Sequence, residues 1–206
     1  MTITLYGFAR TRASRCLWML EEIGAPYAHV PTPTAPEETG SAAFRAINPD
    51  GRIPTLTDGD LTLWESNAIN LHLARAHGGA LGPRTAGEEA RMTMWAVWAA
   101  ATLEPDAHRL YVNTVAGPEA ARDAAAARGA AARLARPLDA LVLSLGPEGW
   151  LEGGRFTVAD LTVANVLLYL AGAPELIAAR PPLADWFARA TDRPAFRRMR
   201  EMRERA

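Results

Sequence analysis

The chain has 206 residues, 49% of them hydrophobic and 22% charged, and its 22 basic residues against 23 acidic ones leave a formal net charge of −1. That balance suits a globular protein with a sizeable core and offers no field to gather nucleic acid or an acidic membrane surface. The lone cysteine, Cys16, excludes a disulfide framework and a cysteine-rich metal site. The first residues lack the basic and long apolar regions of a secretory signal, so a cytoplasmic protein is expected.

Residues 3–6 (Ile-Thr-Leu-Tyr) read as a short strand, and residues 7–13 as a loop leading into a helix whose apolar stripe includes Leu17, Leu20 and Ile23. Gly24 and Pro26 stop that helix, and residues 27–30 form a second strand candidate. Residues 31–40, rich in Pro and Thr, read as irregular. Strand signals return at 55–57 and 61–64, joined through Asp58-Gly59-Asp60, where Asp-Gly is a strong hairpin signal. Residues 66–77 then read as a helix ended by Gly78-Gly79. A βαβ unit followed by ββα implies a small mixed sheet with helices packed on it.

Beyond Gly87 the strand signals vanish. Helical stretches are predicted at about 88–113, 119–144, 158–171, 175–179, 183–191 and 195–204, separated by Gly and Pro punctuation. Pro105 should kink or split the first of these near Leu103-Glu104. The apolar run at 158–170 is too short for a membrane span and reads as the buried central helix of the second half. Two domains follow: an α/β domain over 1–80 and an all-α domain over 87–206.

Two segments carry the densest signals. In Asn48-Pro49-Asp50-Gly51-Arg52-Ile53-Pro54 a polar turn hands a proline to the mouth of a strand. Proline cannot donate to a sheet ladder, and a cis Ile53–Pro54 bond would leave the Ile53 amide and carbonyl free to pair with an extended ligand. One hairpin later, Ser66 is a good helix N-cap and Glu65 sets a carboxylate beside the positive end of that helix. Each segment alone is explained by ordinary folding. Together they offer backbone pairing, helix N–H groups and an acidic anchor for an amine, all suited to a small peptide bearing both charges.

These residues resemble those of the cytosolic glutathione transferases, and the likeness runs nearly end to end. It implies a thioredoxin-like N-terminal domain that binds glutathione and an all-helical C-terminal domain that forms the pocket for a small hydrophobic electrophile. It implies that Ile53-Pro54 pairs with the cysteinyl backbone of glutathione, that Glu65-Ser66 binds the γ-glutamyl part, and that Arg52 reaches the glycyl carboxylate. Glutathione is then a co-substrate, no prosthetic group is implied, and a homodimer with roles in detoxification is expected. Residues 154–161 match the segment with which the family begins its central helix: Thr157 caps, Asp160 answers as the acidic member of a capping box, and Phe156 packs near Leu161. Its role is folding.

The segment Tyr6 to Cys16 decides the catalytic group. Thr11 falls where theta-, zeta- and delta-like members of the family carry a catalytic Ser and beta-like members a Cys, and it departs from both. A Thr hydroxyl can still donate to a thiolate. Ser14 is the second candidate, with the alternative of being the N-cap of the first helix, and Tyr6 ranks third. Cys16 sits at a helical apolar position, where a buried small hydrophobe is the commoner role. His29, His72, His77 and His108 show no metal-ligand spacing and no paired carboxylate pattern, so no metal site is expected. The seven Arg between 189 and 205 read as a solvated helix end. Trp95 and Tyr111, on the first long helix after the boundary, are the guesses for residues facing the electrophile. The competing readings are a glutathione-dependent reductase or peroxidase, disfavoured because Thr11 replaces Cys, and a non-catalytic glutathione-binding or regulatory member.

Overall fold

The computed structural model describes residues 3–206, which divide into two compact units: residues 3–83 with 192–206, and residues 84–191.

The first unit is built on a four-stranded sheet of order β2-β1-β3-β4, with β1 at Ile3–Tyr6, β2 at Tyr27–Val30, β3 at Thr55–Asp58 and β4 at Leu61–Trp64. β1 and β2 run parallel across the crossover helix α1 (Ala13–Ile23), whereas β3 is antiparallel to both β1 and β4. Such short strands are held by burial: Ile3, Leu5 and Leu56 face the core, and residues 13–20 of α1 are buried without a break. α1 stops where the Gly24 backbone turns left-handed (φ 68°) and its N–H returns to the Leu20 carbonyl, a conformation that costs glycine nothing.

The segment after β2 is more ordered than its composition suggests. It holds a one-turn helix α2 (Pro36–Thr39) and a short helix α3 (Ala42–Ile47), the latter capped by the Ser41 hydroxyl accepting from the Phe44 N–H. α4 (Ser66–His77) follows the hairpin.

The second unit opens with α5 (Ala86–Trp98) and α6 (Glu104–Tyr111), separated by a π-helical turn at Ala99–Leu103. Pro105 lies in the first turn of α6, where its missing N–H is harmless; the chain stays helical there, and the π-helical turn ending at Leu103 marks the place where the sequence predicts a kink or split. A second π-helical turn at Val112–Ala116 precedes α7 (Ala124–Ser144), whose first turn is capped by Asp123. α8 (Val158–Leu167) is buried at all ten positions, as its continuous apolar sequence requires. α9 (Glu175–Ala178) and α10 (Pro181–Thr191) complete the unit.

The capping box opening α8 is present. Asp160 accepts from the Thr157 N–H (2.9 Å) and hydroxyl (3.1 Å), and its other oxygen takes the Leu151 N–H (3.0 Å) and the Trp186 indole N–H (2.9 Å). Burial pushes the carboxyl pKa up, against the four hydrogen bonds that favour its ion. The ring of Phe156 meets Trp150 edge-on, with centroids 5.5 Å apart.

The last helix, α11 (Pro194–Arg205), does not extend the helical unit but groups with the first one. Phe196 packs edge-on against Trp18 of α1 at 4.7 Å. Arg193 forms two hydrogen bonds to Glu22 at 2.7 and 2.8 Å, and Arg198 pairs with Glu21. Part of the arginine run is therefore an attachment to α1 rather than a solvated end. Among the described residues no helix is long and apolar enough to cross a membrane.

Candidate active site

Strand register assembles the site. Tyr6 pairs with Thr55 and Thr55 with Trp64, so the last residue of β1, the first of β3 and the last of β4 form one row across the sheet. Neighbouring strands lie about 4.8 Å apart. Three segments therefore leave or enter the sheet at the same end: the loop after Tyr6 that leads to α1, the Arg52–Pro54 approach to β3, and the Glu65–Ser66 step into α4. Gly7 confirms the closeness, since a Cβ placed there would lie 2.6 Å from the Ala13 Cβ and 3.6 Å from the Pro54 Cα.

The Ile53–Pro54 peptide is cis. Among the described residues no backbone hydrogen bond ties Ile53 to the rest of the protein, which leaves its amide and carbonyl open. The loop before it is braced from beneath by the fully buried Asn48, whose side-chain amide donates to the Arg52 carbonyl (2.8 Å) and to the Thr55 hydroxyl (2.9 Å). The Thr55 hydroxyl donates in turn to the Arg52 carbonyl at 2.9 Å. Sequence reasoning quoted Asn48 as part of a turn and missed it as the brace; a polar residue before a proline-flanked turn was the available signal. Arg52 itself projects outward, with a side chain 80% exposed and only a long 3.5 Å contact to Asp50. Such a pair contributes little and leaves the guanidinium available.

Glu65 occupies the cap position of α4 and Ser66 is its first helical residue, so the cap lies one position earlier than the sequence suggests. Glu65 has φ 70° and ψ 111°, the one non-glycine residue with positive φ among those described. Its carbonyl accepts from the Ile69 N–H, while its exposed carboxylate makes no capping bond. Sparsely populated backbone of this kind persists only where its surroundings hold it. Ser66 is buried, and its carbonyl lies 3.8 Å from Cys16 Sγ. A second tie between α1 and α4 runs from the Asn70 amide to the Arg15 carbonyl at 3.3 Å. The two helices thus bring their N-terminal, electropositive ends to the same edge of the sheet.

Thr11 and Ser14 both stand at the start of α1. The Thr11 hydroxyl donates to the Phe8 carbonyl at 2.7 Å and accepts from the Ala13 N–H at 3.2 Å. The buried Ser14 hydroxyl donates to the Thr11 carbonyl at 2.9 Å. Arg12, not Ser14, occupies the cap position. Tyr6 packs edge-on against Phe44. Cys16 is fully buried, and loss of solvent pushes its thiol pKa far up, so it is a packed small side chain with no nucleophilic character at neutral pH.

In the helical unit Trp95 is buried, edge-on to Trp98 at 5.2 Å. Tyr111 is half-buried in a ring cluster with Tyr169, which also meets His108.

One grouping corrects the histidine reading. Asp58 Oδ2 lies 2.9 Å from His72 Nε2 and 2.6 Å from His77 Nε2. The two histidines do share a carboxylate, which the hairpin turn supplies from outside their helix.

A mixed four-stranded sheet with a cis-proline loop and two helix starts at one end, joined to a helical unit, defines a thioredoxin-like protein with an all-α second half. Residues 1–75 match the family model for the glutathione S-transferase N-terminal domain, and residues 119–189 that for the C-terminal domain. The chain belongs to the glutathione S-transferase family. It is 34% identical to glutathione S-transferase GstB of Escherichia coli, over 96% of this chain and 97% of that protein. Among solved structures it resembles a theta-class glutathione S-transferase from Xanthomonas axonopodis pv. citri with glutathione bound, with TM-score 0.83, 34% identity and 95% of each chain covered. It also resembles glutathione S-transferase I from maize in complex with an atrazine glutathione conjugate, with TM-score 0.88, 27% identity and 98% of each chain covered.

Proposed function

We propose that this glutathione S-transferase binds glutathione along Arg52–Pro54 and Glu65–Ser66 and promotes attack of its thiolate on a small hydrophobic electrophile. The observation that carries the reading is the Tyr6–Thr55–Trp64 row, which gathers an open backbone edge, two helix starts and both charge signs at one end of the sheet. The Ile53 amide and carbonyl pair with the cysteinyl residue of the tripeptide. The Glu65 carboxylate meets the free amine, the start of α4 with Ser66 receives the γ-glutamyl carboxylate, and Arg52 takes the glycyl carboxylate.

The sulfur then lies beside the start of α1. A free thiol has a pKa near 8.5, and lowering it by about two units takes roughly 2.7 kcal/mol of preferential thiolate stabilisation. Thr11 supplies part of this once its hydroxyl rotates from the Phe8 carbonyl toward sulfur, and the first N–H groups of α1 supply more. The thiol proton leaves to water. The thiolate lone pair forms the S–C bond, and the electrophile's leaving group departs with the electron pair of the bond that breaks. Of the two aromatic guesses for the electrophile Tyr111 is retained, because it is half-buried whereas Trp95 is buried. Reduction through a protein cysteine has no group to perform it, since Cys16 is buried and its thiol stays protonated.

We further place the protein in the cytoplasm as a homodimer. Leu61 and Trp64 on the edge strand β4 are exposed apolar groups, and on α4 Ala68 and Arg75 are exposed and Leu71 half-buried, which leaves apolar surface for a second copy to cover. Light scattering at micromolar concentration that returned the mass of one chain would overturn the dimer. Titration with glutathione, followed by locating it in a crystal, tests the site; contact with neither Glu65 nor Ile53 would displace it. Turnover with a panel of electrophiles separates an enzyme from a non-catalytic binder.

A further inference from the structure

We propose that Asp58, His72 and His77 form a binding site for one divalent transition-metal ion of borderline softness, with Zn²⁺ as its type. The site stands apart from the glutathione reading. β3 runs from Thr55, at the active-site end of the sheet, to Asp58 at the other end, and α4 runs likewise from Ser66 to His77.

Strand alternation puts Asp58 on the same face as the fully buried Leu56, so its side chain continues the core beneath α4. His72 and His77 are five residues apart on α4, about 140° around an ideal helix. They converge on one carboxylate because His77 is the last helical residue and Gly78 follows. One donor atom from each of Asp58, His72 and His77 lies within 4.8 Å of the other two. The Asp58 side chain is 93% buried, and its second oxygen, Oδ1, has no hydrogen-bond partner. A buried carboxylate oxygen left unmatched is costly, and a dication bound by both oxygens would satisfy it.

The donor set selects the class of ion. Two imidazoles and one carboxylate suit Zn²⁺, Co²⁺ or Ni²⁺, whereas Ca²⁺ and Mg²⁺ want shells built from oxygen. Bond lengths of about 2.0–2.1 Å in a tetrahedral shell separate neighbouring donors by about 3.3 Å. The present contacts of 2.6 and 2.9 Å are hydrogen-bond distances, so binding requires the imidazoles to retreat by about half an ångström and to present unprotonated Nε2 atoms. Their side chains are 23% and 27% exposed, which gives the ion an entry route. The negative end of α4 adds attraction for a cation. Bound there, the ion would clamp the β3–β4 hairpin to the last turn of the helix whose first turn carries Ser66.

The test uses full-length, untagged, chelator-treated protein without glutathione or other thiols, since thiols bind the metal themselves. Calorimetric titration with Zn²⁺ should give one ion per chain, and an excess of about 100-fold over Kd should raise Tm by about 5–10 °C. Asp58→Asn, His72→Gln and His77→Gln should each weaken binding by at least about tenfold, while His108→Gln should not. Co²⁺ added to the parent protein should broaden the ring resonances of His72 and His77 and spare that of His108, a readout that needs no variant to fold. Absence of saturable binding, binding unaltered by all three substitutions, or broadening centred on another histidine would overturn the site and leave a hydrogen-bonded acid–imidazole cluster.

Discussion

Two acidic residues sit at helix starts in this protein and behave in opposite ways. Asp160, at the start of α8, is fully buried and holds four donors from its own chain. Glu65, at the start of α4, is exposed, holds none as a cap and stands on strained backbone. The same helix dipole favours both carboxylates. The difference lies in satisfaction: a polar group saturated internally specifies the fold, whereas one held open in an unfavourable conformation is available to something that is not part of the chain.

The largest expected effect breaks the saturated member. Asp160→Ala strips partners from the Leu151 and Trp186 N–H groups and from Thr157 in a buried setting, and should cost about 3–5 kcal/mol of unfolding free energy in urea titrations. Whatever fraction remains folded should bind glutathione as the parent does. Asp160→Asn, which keeps one acceptor, should lose less.

Glu65→Ala should show the reverse. Loss of a charge-assisted contact to the ligand's amine typically costs about 1.5–3 kcal/mol, or roughly 10- to 150-fold in glutathione affinity. Urea stability should stay within about 0.5 kcal/mol of the parent, as for other surface changes. Unchanged affinity in calorimetry would move the proposed site elsewhere.

Thr11→Val sharpens the open side of the comparison, because Thr11 is already engaged with Phe8 and Ala13 yet stands where the thiolate is expected. The variant should retain glutathione binding, raise the bound thiol's pKa by about one unit and slow conjugation about tenfold at neutral pH. Thr11→Ser should remain active. If Thr11→Val reacted at the parent rate and Ser14→Ala did not, the role would pass to Ser14; if neither mattered, the amides of α1 would carry it.

Features fixed by local chemistry were legible in the sequence. The Asp58-Gly59 turn, the Gly24 stop, the irregularity before Pro105 and the Thr157–Asp160 box each depend on residues within a few positions of one another. The segments proposed for the active site were legible for a related reason: they flank strand ends, and pairing of β1, β3 and β4 brings such ends into one row. Long-range pairing was not legible. The Glu21 and Glu22 partners of Arg198 and Arg193 lie more than 170 positions away, so a run of arginine gives no sign that two of its members are anchored. Asp58 and its histidines are separated by a hairpin and most of a helix, and helical spacing alone cannot reveal a ligand from another element. The short helices α2 and α3 leave too few residues for a periodic signal, and only Ser41 marked a start.

A third helix start lies between the two extremes. Thr85 caps α5, and Glu88, three residues on, accepts from the Arg84 N–H (2.8 Å) and from two Arg155 nitrogens (2.8 and 3.1 Å). These bonds, the Arg155 pair first, hold its pKa at about 2, below the ordinary 4.5. A carboxyl depressed in the folded state stabilises above its unfolded pKa, and that contribution is lost as pH falls from about 4.5 toward 2. Glu88→Gln keeps the shape and removes the charge, so it should be about 1–2 kcal/mol less stable than the parent near neutral pH. The gap should close as pH approaches 2, where the parent carboxyl is itself becoming neutral. Paired urea titrations across that range decide the matter, because a gap independent of pH would mean that the geometry of the amide, and not the lost charge, causes the difference.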